Sequence, residues 1–427
     1  MHESRVVSDV ACTICGCVCD DLRMTIDGGR ITKAEGACHL AEPWFLAQET
    51  QEPPAAEIEG QPTSIDEATA RSAAILRAAK WPLVFGLSRS STEGQRAAVR
   101  LADLIGSNID TTASTCHAPS ILAIQDVGES TCSLGEIKNR ADLVVFWGVD
   151  PVVTHPRHGE RYSMSATGMF VPGGRSDRTI ILVDEAENAT RAHADHFVRI
   201  EPDRHFEAIW TLRCLLRGIA PEPNAELGAD IGALRDLCER MKSCRCGVFF
   251  FGLGLAQSRL GHLSVDGLLR LVAELNAHTR FHARRMRMQG DVTGADTVLC
   301  WQTGFPFAVN LSRGYPRYGP DEFSAQLMLE RGEVDACLFV GTEGVLQMSA
   351  KARSHLARIP TIALEYPTIR SSIEPTVRFT TSVYGVHHAG TAYRMDEIPI
   401  PLRALLPPKY ASDAEILERI ADRFRAG

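Results

Sequence analysis

Four cysteines near the start of the chain, Cys12, Cys15, Cys19 and Cys38, carry the clearest chemical signal. They are separated by two, three and eighteen residues. A tight loop can therefore deliver three sulfurs and a returning strand the fourth. Loop spacings of this kind hold Cys₄ iron–sulfur sites. Zinc also accepts four thiolates, more often from paired CxxC units, so iron–sulfur is preferred here. The alternative is a set of free thiols, because cysteine packs as a small hydrophobe. Five of the 13 cysteines fall in the first 38 residues, which weighs toward a site. A second chemical feature is the basic run His278-Thr-Arg-Phe-His-Ala-Arg-Arg-Met-Arg287. With Arg284, Arg285 and Arg287 it can meet an anion, or it can be a solvated helix face or a subunit contact.

These residues need elements to position them. Short runs apolar at nearly every residue recur at 82–86, 142–148, 178–184, 247–252, 335–341 and 360–365. Strands covered on both faces of a parallel sheet read this way. Several end in Gly or Asp, where open α/β sheets place ligand loops. Between them lie helical segments. In 64–79, Ser64 is a candidate N-cap with Glu67 three residues on as its capping-box partner, and 264–275 has a similar pattern. The alternation predicts an α/β fold with doubly wound, mostly parallel sheets. A proline- and glutamate-rich connector covers 49–62, an irregular loop is expected at 302–322, and a closing amphipathic helix at 412–426.

At 427 residues the chain should divide into domains. We expect a Cys-rich domain at 1–52, an α/β domain at 53–140 completed by about 320–427, and an inserted α/β domain at 141–319. Composition, 44% hydrophobic and 23% charged, is that of a soluble globular protein. No run approaches the ~18 apolar residues of a membrane span, and the first residues lack the apolar core of a signal peptide. A cytoplasmic location is expected, where cysteines serve as ligands or thiols rather than disulfides. A formal charge of −8 argues against nucleic acid as a partner.

Cys-x-x-Cys-Gly-x-x-Cys-Asp-Asp at 12–21, Thr112-Ala-Ser-Thr-Cys-His-Ala-Pro-Ser120, Gln125-Asp-Val-Gly128, His155-Pro-Arg-His158 and Gly390-Thr-Ala-Tyr-Arg-Met395 occur in one order along the chain. Together they resemble the catalytic B-type chain of formylmethanofuran dehydrogenase, in the formate dehydrogenase branch of the molybdopterin/tungstopterin oxidoreductases. The resemblance implies a formate-dehydrogenase-like fold, a [4Fe-4S] cluster on the N-terminal cysteines, and a tungsten- or molybdenum-bis-pterin that reduces CO₂ to formate. It assigns Cys116 as metal ligand, His117 as its neighbour and Arg287 to formate. Full-length relatives carry a C-terminal β-barrel that is not expected in this chain.

The sequence departs from the family pattern at strand-end loops. Where the pattern reads Asp-Pro-Arg-x-Thr, a loop holding the pterin dinucleotide, this chain has Asp184-Glu-Ala-Glu-Asn-Ala-Thr190. Cys-Asn-Pro becomes Val149-Asp150-Pro151, and a Ser-Asp-Pro-Gly loop becomes Gly341-Thr-Glu-Gly344. The segment 370–381 departs as well. An acid in place of a guanidinium swaps attraction for repulsion, roughly 1–4 kcal/mol per pair at contact for effective dielectrics of 80 to 20.

Similarity combined with these losses resembles the beta subunit of the bacterial formyltransferase/hydrolase complex. That resemblance implies an amidohydrolase alpha subunit, a gamma subunit and a formyltransferase delta subunit as partners. The complex takes formyl-tetrahydromethanopterin to formate through a methanofuran-type carrier with a polyglutamyl tail. The chain is then a non-redox scaffold or channel subunit without molybdopterin or tungstopterin, Cys116, His117 and Arg287 are vestigial, and Arg284, Arg285 and Arg287 are candidate contacts to the carrier tail. The alternative is the catalytic tungsten/molybdenum-pterin subunit of the dehydrogenase.

Overall fold

The computed structural model describes residues 4–222, 224–369 and 371–427. Arg370, which opens one of the divergent segments, and the first three residues lie outside the described residues. The chain divides into two compact units, residues up to Thr115 together with Gln289–Gly427, and Cys116–Met288.

The first unit begins with an antiparallel meander, Arg5–Val10, Leu22–Asp27 and Arg30–Glu35. Gly28 and Gly29 both take positive φ, which the tight turn before Arg30 requires. The cysteine loop joins the first two of these strands. A nine-stranded sheet follows, with Asn108–Thr111, Pro82–Gly86, Ala336–Val340, Thr361–Glu365 and Val377–Thr380 parallel at its centre and short antiparallel strands at both edges. Its core joins Val84, Ile109, Leu338, Ile362 and Phe379 to helix faces that include Ala98, Leu101 and Ile420.

The second unit holds an all-parallel five-stranded sheet in the order His196–Arg199, Thr179–Asp184, Leu143–Trp147, Cys246–Phe251, Arg280–Arg285. Its core gathers Val145, Trp147, Ile181, Phe249 and Phe281 with Leu212, Leu268 and Leu271. Among the described residues no sheet closes into a barrel.

All six apolar runs are strands. Ser64 and Glu67 form the expected capping box, and a second one, Ser412 with Glu415, opens the closing helix Asp413–Ala426. The helix expected at 264–275 starts earlier, at Gly261, and carries Ser264 buried inside it. Residues 302–322 are less irregular than expected, with Val309–Asn310 paired to Arg317–Tyr318 and a short helix Pro320–Phe323.

The domain boundaries also differ from those expected. The inserted unit spans Cys116–Met288 rather than 141–319, and residues 1–52 group with the first unit. Packing gives the reason. Ala123, Ile124 and Val127 pack into the five-stranded core, whereas Ala295, Val298 and Leu299 pack into the nine-stranded one.

Candidate functional site

His117 sits at the start of the helix Ala118–Val127, just after Cys116. It is buried and hydrogen-bonds the backbone of Met286, and its Nδ1 has no partner. Burial holds its pKa well below the usual range, and the positive charges of Arg287 and Arg285 add to the effect, as does His155. The structure thus brings His117 together with Arg287, Arg285 and His155. Cys116 is partly buried at the end of the short helix Ala113–Cys116.

His155 contributes through geometry. Its Nε2 lies 2.7 Å from the Arg287 carbonyl oxygen, and its Nδ1 lies 2.8 Å from the Thr154 hydroxyl. Burial pushes its pKa down to about 4, so the ring is neutral at neutral pH. A neutral ring facing a carbonyl carries its proton on Nε2 and donates it there, while the Thr154 hydroxyl beside Nδ1 gives its own proton to the Asp150 carbonyl oxygen. His158 is buried too, with Ser163 Oγ 2.9 Å from its Nδ1 and the Phe250 ring edge-on at 4.6 Å between centroids. It borders a π-helical turn, Gly159–Ser163, a kind of distortion common near functional sites. Sequence reasoning does not assign His155 and His158 to the site. The available signal is the His-x-x-His spacing beyond a strand end; its target, Arg287, is 132 positions away.

The basic run is not a helix face. It forms the edge strand Arg280–Arg285, with Phe281 in the core, Arg284 buried and donating to Thr131 Oγ1 at 2.6 Å, and Arg285 3.8 Å from Glu129. Arg287 is only 3% exposed. Arg280 is the exposed guanidinium of the run, so the run presents no continuous cationic track to solvent.

The divergent loops hold their new acids in bonds to the chain itself. Asp150 accepts from the Ala189 N–H at 3.0 Å and the Thr190 hydroxyl at 2.7 Å. Glu185 accepts from the Asp203 N–H at 2.9 Å and lies 3.3 Å from His205 Nε2, while Trp147 donates to His205 Nδ1. Glu187 pairs with Arg191 at 3.1 Å. In the other unit, Glu343 accepts from Ser88 Oγ at 2.6 Å and lies 3.9 Å from Arg89.

Cys12, Cys15 and Cys19 are buried and Cys38 partly so. The Cys12 thiol is raised well above its ordinary pKa, first by burial and then by Cys15, Cys19 and Cys38, so the four sulfurs share one neighbourhood. The loop is fixed by Cys12 N–H to the Cys19 carbonyl at 2.8 Å and by Met395 N–H to the Gly16 carbonyl at 2.8 Å. Among the described residues no three His, Cys, Asp or Glu side chains stand in a metal-holding arrangement. Mutual proximity is a weaker condition than ligation. The donor set fits an iron–sulfur or zinc centre in type, and the arrangement is that of neighbouring thiols rather than a preformed cage. For a bis-pterin the fit is split: Cys116, His117 and Arg287 suit the metal end, and the strand-end donors that would face phosphates are engaged by acids.

Two α/β units, each built on a central parallel sheet, define the class, and comparison with known proteins narrows it. No family model matches. The chain is 37% identical over 430 residues to the B-type chain of the tungsten-containing formylmethanofuran dehydrogenase 2 of Methanocaldococcus jannaschii, covering 99% of both chains. It is 24% identical over 291 residues to the B-type chain of the formyltransferase/hydrolase complex Fhc of Methylorubrum extorquens, covering 67% of this chain and 75% of that one. In fold it matches a chain of the FhcABCD complex of Methylorubrum extorquens, solved with methylofuran, with a TM-score of 0.73 at 22% identity over 87% of this chain and 99% of that one. It also matches acetylene hydratase from Pelobacter acetylenicus, with a TM-score of 0.65 at 11% identity over 98% and 69%. The chain belongs to the family of B-type formylmethanofuran dehydrogenase subunits.

No helix among the described residues is long and apolar enough to cross a membrane.

Proposed function

We propose that this chain is the B-type member of a multi-subunit complex that moves formyl groups on a methanofuran-type carrier, and that it serves there as a non-redox scaffold. Its partners are an amidohydrolase, a formyltransferase and a third subunit, which together release formate from formyl-tetrahydromethanopterin. The supporting observation is the self-occupied loop: Asp150 takes the Ala189 N–H and the Thr190 hydroxyl, donors of the loop in which the family pattern holds a dinucleotide. A phosphate entering there would meet a carboxylate already bonded to those donors. The N-terminal cysteines hold an iron–sulfur cluster or zinc for structural reasons, because metal binding contributes folding energy directly.

A second reading is supported by a specific observation as well. His117 is neutral, buried and unpartnered at Nδ1 beside Arg287 and Cys116, which suits the catalytic subunit of a formylmethanofuran dehydrogenase. There a metal–pterin would supply the two-electron exchange between CO₂ and formate. Within that reading, this chain's residues orient a small carboxylate through Arg287 and keep an unprotonated nitrogen at hand through His117.

The assay that separates them is metal analysis of the intact complex combined with viologen-linked formate oxidation. The scaffold reading expects neither tungsten nor molybdenum in stoichiometric amount and no viologen reduction; a full complement of either metal with formate oxidation would overturn it.

A further inference from the structure

The nine-stranded sheet has a topological switch point. Pro82–Gly86 pairs on one side with Asn108–Thr111, while Ala336–Val340 pairs on the other with Thr361–Glu365. The direction of winding reverses between these two central strands, and open α/β sheets bind ligands in the crevice at their carboxyl ends. The backbone there is built for close approach. Gly86 and Leu87 have φ of 114° and 78°, and a Cβ on Gly86 would lie 2.5 Å from the Val340 carbonyl. Gly341, at φ 80°, leaves the space over its Cα to the Glu343 carboxylate.

That carboxylate fills the crevice. It accepts from Ser88 Oγ at 2.6 Å, faces Arg89 at 3.9 Å and is 8% exposed. A hydroxyl and a guanidinium converging on one anionic group are the donors expected of a phosphate site. Around them about 10 Å³ of free space is left, room for at most one water. Two further carboxyls line the same space. Glu365 accepts from the Thr342 hydroxyl but leaves Oε2 without a partner, and Asp413 accepts from the Ser90 hydroxyl. Burial raises the pKa of both toward the neutral acid.

We infer that Glu343 is a resident anion: its side chain occupies a latent inorganic-phosphate-class site at the switch point and keeps that site shut. This rests on the scaffold reading above and extends it to the second crevice, where the residue pattern alone shows only a changed loop. Truncating the side chain should reopen the site.

The test uses the full chain with inorganic phosphate as probe, followed by calorimetry and thermal shift. Glu343→Ala should bind phosphate saturably, at least tenfold tighter than the parent, and its melting temperature should rise with phosphate. Glu343→Gln keeps the bulk in place and should stay as unresponsive as the parent. Glu343→Ser provides a second opening variant should the alanine variant fold poorly. Equal phosphate responses in parent, Glu343→Gln and Glu343→Ala would overturn the inference, as would no gain in either opening variant. Such a failure leaves the scaffold reading standing, whereas a pterin-bound metal in the unaltered complex ends that reading whatever Glu343→Ala does.

Discussion

The most deeply buried titratable groups differ in kind between the two units, although His387 of the first and Asp184 of the second are shifted by burial in the opposite sense. In the second, His117, His155 and His158 are imidazoles held neutral by burial. In the first, burial raises the carboxyls of Asp110, Asp291 and Glu365, with Asp110 reaching about 7. The contrast separates what the family resemblance treats as one machine. Around Arg287 stand neutral imidazoles and guanidinium groups, while the crevice at Glu343 holds a carboxylate. On the proposed scaffold reading, retention at one site and occupation at the other is what a chain would show if it kept its architecture without a large anionic cofactor.

The largest expected effect is on pH dependence. A His with a depressed folded pKa takes up its proton first in the unfolded chain, so its contribution is complete above about 6.5 and declines as pH falls toward the folded value, about 4 for His155. Each such group costs up to about 1.4 kcal/mol per pH unit in that window. Asp110 runs the other way. Its contribution is complete below the ordinary carboxyl pKa and declines as pH rises through about 7. Hydrogen exchange read separately over 118–288 and 289–427 should therefore show the second unit losing protection as pH falls from about 6.5 toward 4, while the first gains protection over the same range. Parallel changes in both units would erase the contrast.

Removing a carboxylate sharpens it. Asp150→Ala strands the Ala189 N–H and the Thr190 hydroxyl, and urea unfolding should register a loss of about 1–3 kcal/mol with faster exchange at 189–190. An unchanged midpoint would mean that these bonds do not hold the loop. Cys15→Ser should lower the melting temperature of the N-terminal region while formate release by the complex continues. A variant with intact melting and no formate production would contradict a structural role for that loop. The smallest effect belongs to Glu187→Ala: its pair with Arg191 is exposed, so the urea midpoint should not move measurably.

Much of the architecture is legible in the sequence because its strands are apolar on both faces. Leu143–Trp147 and Ala336–Val340 are buried at every position, which leaves an unmistakable trace. The edge strand Arg280–Arg285 is not legible, because its arginines hide the alternation of Phe281 and Ala283. The resemblance names His117 and Arg287 as candidates, but neither their proximity nor the support from His155 can be read from the sequence. That support depends on a hydrogen bond between residues far apart in sequence. The Ser88–Glu343 contact spans 255 positions and is visible only once the switch point is built. The domain boundaries escape for a related reason: the helices flanking each boundary are assigned by the core they pack against, which local composition does not report.

If this chain's own acids occupy the places where a dinucleotide would be held, the purified, active complex should carry no such cofactor. Quantifying its tungsten, molybdenum and pterin tests that most directly. Formate release is expected with neither metal nor pterin near one equivalent per chain. A full equivalent of metal-bound pterin, lost on Cys116→Ala, would contradict it.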